Sequence, residues 1–176
     1  MKRIFACILA AGMFLAAGNF ASAQDGRESW SYRRDYRADV EFAWMNPGQF
    51  VLSTSHGYSF GNGLYVGGGI GLGFDTVYAD KTSVIIPVFA EVKYSFLDKF
   101  DSPFVSVRLG EYADCTNYGL GFYFNPAVGV DLGRFNLKLG YELQKPFAAA
   151  SGAKTPRGWE DRPYSSHVKV SVGFAF

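Results

Sequence analysis

The sequence contains about eight runs of roughly ten residues in which apolar side chains alternate with small, polar or charged ones. Turn-forming residues separate the runs, which span residues 36–45, 49–60, 64–75, 83–96, 103–112, 119–132, 134–144 and 167–176. An alternation of period two puts successive side chains on opposite faces of an extended chain, so each run is predicted to form a β-strand. The composition, with 18% aromatic residues and 21 glycines, suits strands and turns more than helices. The chain is therefore expected to form one all-β domain.

The two faces of each predicted strand differ in character. In the run 64–75, Leu64, Val66 and Ile70 lie on one face, whereas Tyr65 and a row of glycines lie on the other. In the last run, an apolar row of valines and phenylalanines opposes Lys169 and small residues. Each strand thus has one bulky apolar face and one face of glycine or charge.

Eight strands enclose only enough space for packed side chains, so we expect the glycine-bearing face inside and the bulky face outside. Charged residues share the inner face, where opposite charges can pair. This predicted interior charge network comprises Glu91, Lys93, Arg108, Lys138, Glu142 and Lys169. A Lys or Arg facing lipid at the bilayer midplane costs about 2–4 kcal/mol, and the outward rows lack charges except near strand ends, as at Glu111. We therefore predict an eight-stranded antiparallel transmembrane β-barrel rather than a lipocalin-like barrel, whose apolar rows would turn inward.

Aromatic residues gather toward the ends of the predicted strands, where a membrane barrel carries its interfacial girdles. They include Trp44, Phe50, Phe60, Phe74, Tyr94, Phe96, Phe104 and Tyr112. The chain ends on Phe176 after a strand of alternating apolar residues. Because a closed barrel has no free edge, we expect this last strand to pair with the first.

The first 23 residues have the organisation of a secretory signal peptide, with a basic start, an apolar stretch and a small-x-small site that ends at Ala23. The apolar stretch is shorter than the ~20 residues that a membrane helix needs. We predict cleavage after Ala23, a periplasmic N-terminal segment at 24–35 and the barrel at 36–176.

Charge and cysteine content exclude several classes of function. The chain has 17 basic and 16 acidic residues, a balance that does not indicate a nucleic-acid partner. Cys115 is the one cysteine that remains after signal cleavage, so no internal disulfide can form. No motif in the sequence indicates a metal or a cofactor, and we expect neither.

The connections between the runs alternate in length. The links "GNG", "LDKFDS" and "GR" are short. The links "TVYADKTS", "ADCTNYG" and the segment 145–166 are longer and more polar. The link "NPG" is an exception, because it is short where the alternation requires a long loop. Short turns at one barrel end and long loops at the other are typical of outer-membrane barrels. We predict that the longest loop, 145–166, faces outside the cell and offers Lys154, Arg157, Trp159 and Arg162 as contact residues.

Several segments resemble the small outer-membrane β-barrel proteins common in Bacteroides-type bacteria, a family similar in architecture to the eight-stranded OmpA and OmpX barrels. They are "FVLSTSHGYSF", "LYVGGGIGLGF", "IPVFAEVKYSFLDKFDSPFVSVRLG" and "GFYFNPAVGVDLG". The resemblance implies a monomer in the outer membrane of a Gram-negative bacterium, surrounded by lipid and lipopolysaccharide, with no catalytic role. It also implies that the barrel-insertion machinery recognises the final strand through Val170, Val172, Phe174 and Phe176.

The sequence leaves two alternatives to a structural or surface-interaction role. His167 lies at the loop end of the last strand and could serve a lipid A-modifying hydrolase or acyltransferase, with Ser165 or Ser166 as nucleophile and Glu142 as orienting acid. Ser166 is the poorer nucleophile for His167, because neighbouring residues of a strand point to opposite faces. His56, which also lies beside a serine, is a weaker candidate for the base than His167. The second alternative is a narrow transporter for small or apolar solutes, lined by the inward charges.

Overall fold

The computed structural model describes residues 32–46, 48–75, 83–116, 119–149 and 165–176. The predicted signal peptide at 1–23, its cleavage site and most of the segment 24–35 lie outside the described residues. The predicted contact residues Lys154, Arg157, Trp159 and Arg162 also lie outside them.

Eight antiparallel strands form the described part of the chain. They are β1 (Arg34–Asn46), β2 (Gln49–Phe60), β3 (Leu64–Asp75), β4 (Ser83–Ser95), β5 (Asp101–Asp114), β6 (Gly119–Leu132), β7 (Phe135–Ala149) and β8 (Ser165–Ala175). Each strand pairs with the next along the chain, and β1 pairs with β8, so the sheet closes into a barrel. This confirms the predicted eight-stranded antiparallel β-barrel. Among the described residues, no helix is long and apolar enough to span a membrane.

The strand ends differ from the predicted ones where proline occurs. β5 begins at Asp101, before Pro103, and β7 continues through Pro146 to Ala149. Proline cannot donate to the ladder and usually argues against a strand interior. The β6–β7 register shifts between Leu120 and Gly121, and Pro146 then pairs with Gly121. This irregularity accommodates the proline. The segment between β7 and β8 is consequently 150–164 rather than the predicted 145–166.

The C-terminal residue is held in the sheet. The Phe176 N–H donates to the Ala38 carbonyl at 2.9 Å, and the Ala38 N–H donates to the Phe176 carbonyl at 3.0 Å. β1 itself begins at Arg34, two residues before the predicted start of the barrel. The last strand therefore closes against the first, and the terminal phenylalanine belongs to the ladder.

The apolar rows face outward and the charged rows face inward. On β7, Leu139 is 54% exposed and its neighbour Lys138 is 6% exposed; on β8, Val170 and Lys169 are 46% and 2% exposed. Large exposed apolar side chains occur on all eight strands. The outside of the barrel is thus mainly apolar, and most of the charged side chains of the strands lie in the lumen.

Interior glycines make room for aromatic rings from neighbouring strands. A Cβ added at Gly69 would come within 2.6 Å of the Phe89 ring, and one at Gly129 within 2.5 Å of the Phe104 ring. The Tyr112 ring lies against Gly121 in the same way. The prediction that Phe104 and Tyr112 belong to the outer girdle is therefore wrong, because both rings fill the lumen over glycines.

Candidate functional site: the lumen and its loop-end rim

Glu41 on β1 is the centre of a buried ion-pair cluster. Its two carboxylate oxygens accept hydrogen bonds from Nη1 and Nη2 of Arg108, both at 2.8 Å. Lys138 Nζ lies 2.7 Å from Glu41 Oε2, and Lys169 Nζ lies 3.4 Å from Glu41 Oε1. One carboxylate from β1 is thus contacted by cations from β5, β7 and β8.

Two further carboxylates complete this central cluster. Glu91 Oε1 lies 3.2 Å from Arg108 Nε and 3.3 Å from Lys138 Nζ. Glu142 Oε2 lies 3.4 Å from Lys169 Nζ. Three acids therefore face three bases, and the central cluster has no net formal charge.

A second cluster lies closer to the end of the barrel that holds the termini. Lys93 Nζ lies 2.6 Å from Asp131 Oδ1, and Arg37 Nε lies 3.1 Å from Asp39 Oδ2. Arg37 Nη2 approaches Asp131 Oδ1 at 3.8 Å, and Ser95 donates a hydrogen bond to Asp131. This terminal-end cluster is also balanced, with two acids and two bases.

All six residues of the predicted interior charge network lie inside the barrel, and the structure adds four more. Arg37, Asp39, Glu41 and Asp131 are not members of the predicted network. The sequence nevertheless contains a pattern that indicates three of them, since Arg37, Asp39 and Glu41 occupy every second position of β1. What the sequence does not reveal is the pairing across the lumen, because strands that are distant in the sheet meet only when the barrel closes.

Aromatic rings pack against the charged groups. Lys93 Nζ lies 3.9 Å from the centroid of the Phe104 ring, and the Arg108 guanidinium lies 4.7 Å from that of Phe89. The Phe89 and Tyr123 rings are 5.8 Å apart. Cation–π contacts and ring packing fill space between the ion pairs, so side chains occupy the lumen at these levels.

The loop-end rim places Ser165 and His167 in contact. The two residues lie on the same face of β8, and the Ser165 hydroxyl is hydrogen-bonded to Nε2 of His167. Nδ1 of His167 lies 3.1 Å from the Asn46 carbonyl oxygen. His167 is 5% exposed. The pair therefore faces the lumen and not the outer surface.

The other members of the predicted rim site are placed differently. Ser166 is exposed on the outer face, as its adjacent position in the strand predicts. The expected role of Glu142 as orienting acid does not match the structure, because the Asn46 carbonyl holds Nδ1 of His167. Glu142 Oε1 instead accepts a hydrogen bond from Gln144 at 2.6 Å.

His56 lies on the outer face, away from the rim. Its Nδ1 is hydrogen-bonded to the Tyr36 hydroxyl and its Nε2 to Thr54 Oγ1 at 3.0 Å. Both ring nitrogens thus have partners within β1 and β2, as a polar group on an apolar surface requires. The two histidines belong to separate environments.

Cys115 lies in the turn after β5 and is exposed. Partial burial, followed by the nearby Asp114 carboxylate, raises the pKa of this thiol. The raised pKa keeps the group in the thiol form at neutral pH, which does not favour a nucleophilic role. Within the described residues, no group of three or more His, Cys, Asp or Glu side chains could hold a metal ion.

The fold is similar to those of solved outer-membrane proteins. The crystal structure of the outer membrane enzyme PagL gives a TM-score of 0.50 at 10% identity, covering 80% of this chain and 98% of that one. The N-terminal β-barrel domain of Pseudomonas aeruginosa OprF gives 0.48 at 14% identity, covering 82% and 100%. Neisserial surface protein A gives 0.46 at 15% identity, covering 80% and 94%. No protein-family model matches the sequence, and comparison with curated proteins also finds no match.

The chain therefore has a closed eight-stranded antiparallel barrel fold of the kind seen in the outer-membrane enzyme PagL. At 10% identity this likeness shows the fold alone. The role of this particular chain depends on its own residues.

Proposed function

We propose that this protein is an integral outer-membrane protein of a Gram-negative bacterium with a structural or surface-interaction role in the envelope. The observation that carries the proposal is the inverted arrangement of the barrel, with apolar rows outside and, among the described residues, ten paired charges inside. Its resemblance to small OmpA- and OmpX-like barrels supports a monomer inserted by the barrel machinery. Val170, Val172 and Phe174, which face outward, would form the recognised row together with Phe176.

Envelope fractionation tests the location. We expect the protein in the outer-membrane fraction, beginning at Gln24 after cleavage behind Ala23. Its folded form should migrate differently from the boiled form in electrophoresis. Recovery in the soluble periplasmic fraction would contradict the proposal.

The filled lumen supports a structural barrel over the alternative of a narrow transporter. Both charge clusters are balanced, and rings pack between them. The Glu41–Arg108 pair lies across the lumen, so a solute that crossed the barrel would have to pass it. We expect no resolvable conductance from the purified protein in planar bilayers, and regular ion-conducting steps would favour the transporter.

The loops at the end opposite the termini are the proposed contact surface. Loops on a rigid scaffold carry binding more often than strands do. Deleting 151–163 should abolish capture of an extracellular partner while the barrel still folds. A variant in which a Gly/Ser segment of equal length replaces 151–163 controls for the spacing between the strands. A triple Ala variant at Lys154, Arg157 and Arg162 should weaken capture. Equal capture of the partner by all of these variants would exclude this loop as the contact surface.

The Ser165–His167 contact supports a second candidate, a lipid A-modifying rim enzyme that uses His167. Both side chains face the lumen, so a bilayer lipid would have to enter the barrel to reach them. The lipid A acyl content of cells with wild-type protein or His167→Ala tests this candidate. Identical acyl content would exclude it.

A further inference from the structure

Three polar groups lie toward the loop end of the lumen, and two of them are in contact. They are the Ser165 hydroxyl, the His167 ring and the side-chain amide of Gln49. We propose that these groups form an acyl-transfer site that accepts a small carboxylic ester from the loop-end mouth of the barrel. This activity goes beyond the proposed structural role and does not depend on it.

The hydrogen bonds fix the tautomer of His167. A backbone carbonyl can only accept, so Nδ1, which lies 3.1 Å from the Asn46 oxygen, must carry the ring proton in the neutral imidazole. Nε2 therefore has a free lone pair and accepts the hydrogen bond from the Ser165 hydroxyl. This is the arrangement that a histidine base needs to remove a proton from a serine nucleophile.

Gln49 supplies a second, independent observation. Its side chain is completely buried, yet neither Nε2 nor Oε1 has a hydrogen-bond partner within the described part of the chain. Gln49 pairs with Met45 at the tight β1–β2 turn, next to Asn46, whose carbonyl holds His167. A buried amide without a partner is costly, so this donor is suited to bind an oxygen that arrives with a ligand.

The proposed reaction balances without a cofactor. His167 Nε2 takes the Ser165 proton as Oγ bonds to the ester carbonyl carbon, and the carbonyl oxygen becomes an oxyanion that accepts a hydrogen bond from Gln49 Nε2. The C–O bond to the alcohol then breaks, and the alcohol oxygen takes the proton from His167. Water attacks the acyl-serine with His167 again as base, which releases the carboxylic acid and restores Ser165.

The surroundings favour a short, water-soluble ester. The dyad faces the lumen, whereas bilayer lipids contact the outer face on which Ser166 lies. Beside Gln49 lies Met45, and the next inward pair is Ala43 and Val51; this buried cluster offers an apolar wall for the acyl group. On β1, Glu41 lies four residues below Met45, so the Glu41–Arg108 pair crosses the lumen about 10 Å further in.

The test uses the complete protein folded in detergent micelles, with p-nitrophenyl acetate as substrate and a fluorophosphonate as covalent probe. We expect ester hydrolysis and labelling at Ser165. Ser165→Ala and His167→Gln should abolish both, whereas Ser166→Ala, the outward neighbour, should change neither. Gln49→Leu should lower the hydrolysis rate about 10²–10³-fold, the usual loss for one oxyanion donor. Electrophoretic mobility of unboiled samples shows that each variant is folded.

A second arm distinguishes the source of the ester. Phosphatidylcholine in vesicles that contain the protein should not be deacylated, because its esters do not reach the lumen. Deacylation of the vesicle lipid would contradict the proposal that the ester reaches Ser165 through the lumen. Absence of Ser165 labelling in folded wild type, or equal hydrolysis by Ser165→Ala, would overturn the site and leave the proposed envelope role unaffected.

Discussion

Arg108 on β5 and Glu41 on β1 form a bidentate ion pair across the lumen, with both N–O distances at 2.8 Å. Three strands separate their strands in either direction around the barrel. The contact can form only when the sheet has closed with the correct register. The pair therefore ties opposite walls of the barrel together.

Glu41→Gln should strongly destabilise the barrel. The substitution removes the charge that faces Arg108, Lys138 and Lys169, and removal of one partner from a buried ion pair costs about 3–5 kcal/mol. Urea unfolding of the protein in detergent, followed by electrophoretic mobility, measures the loss. Glu111→Gln, on the exposed outer face of β5, is the matched control and should change stability by less than about 0.5 kcal/mol. Equal effects of the two substitutions would contradict the central role of Glu41.

Gly69→Ala should destabilise the barrel while Gly68→Ala should not. A Cβ at Gly69 would overlap the Phe89 ring, and overpacking of this kind costs about 1–3 kcal/mol. A Cβ at Gly68 points outward and meets only ordinary contact, 3.5 Å from the Phe89 carbonyl oxygen. The same unfolding measurement compares the two. A reversed order would mean that the glycine row does not face the lumen.

Phe176→Ala should reduce assembly in cells. The backbone pairing with Ala38 can persist in this variant, but the terminal ring that the insertion machinery is proposed to recognise is lost. The folded fraction in the outer membrane should fall, and Phe176→Tyr should restore it because an aromatic ring remains. Full assembly of Phe176→Ala would exclude a recognition role for the ring.

Cys115 provides a test of topology. A membrane-impermeant maleimide should label it on intact cells, since the turn after β5 lies at the loop end of the barrel. The raised pKa means that little thiolate exists at neutral pH, so labelling should accelerate as the pH becomes alkaline. Lys99→Cys in a Cys115→Ser background places a cysteine in the turn between β4 and β5, at the end of the barrel that holds the termini. This cysteine should stay unlabelled. The opposite pattern would invert the proposed orientation.

Alternation along the sequence predicts most of the fold, because it depends only on the geometry of single strands. The exposed Val170 and buried Lys169 follow directly from it. Strand ends are harder to predict near proline. The end of β7 at Pro146 is an example, because the register shift that accommodates this proline lies on β6.

The site was only partly predictable. Contacts such as Lys93–Asp131 join residues on non-neighbouring strands, and no local pattern specifies them. The Ser165–His167 contact follows from their spacing within one strand, whereas the Asn46 carbonyl that replaces Glu142 as partner of His167 comes from β1. Closure of the barrel, which is a long-range event, determines these contacts.

Spin labelling at two adjacent residues of β8 measures whether the apolar rows face lipid and the polar rows face the lumen. Nitroxides are attached at Ser171→Cys and Val172→Cys in a Cys115→Ser background, and collision with oxygen is compared with that of a water-soluble nickel complex in lipid vesicles. Val172 is 49% exposed and Ser171 is 3% exposed, so the label at 172 should collide with oxygen as a lipid-facing group does, and the label at 171 should not. A label at 171 that met lipid, or a label at 172 that was open to the nickel complex, would overturn this orientation of the strands.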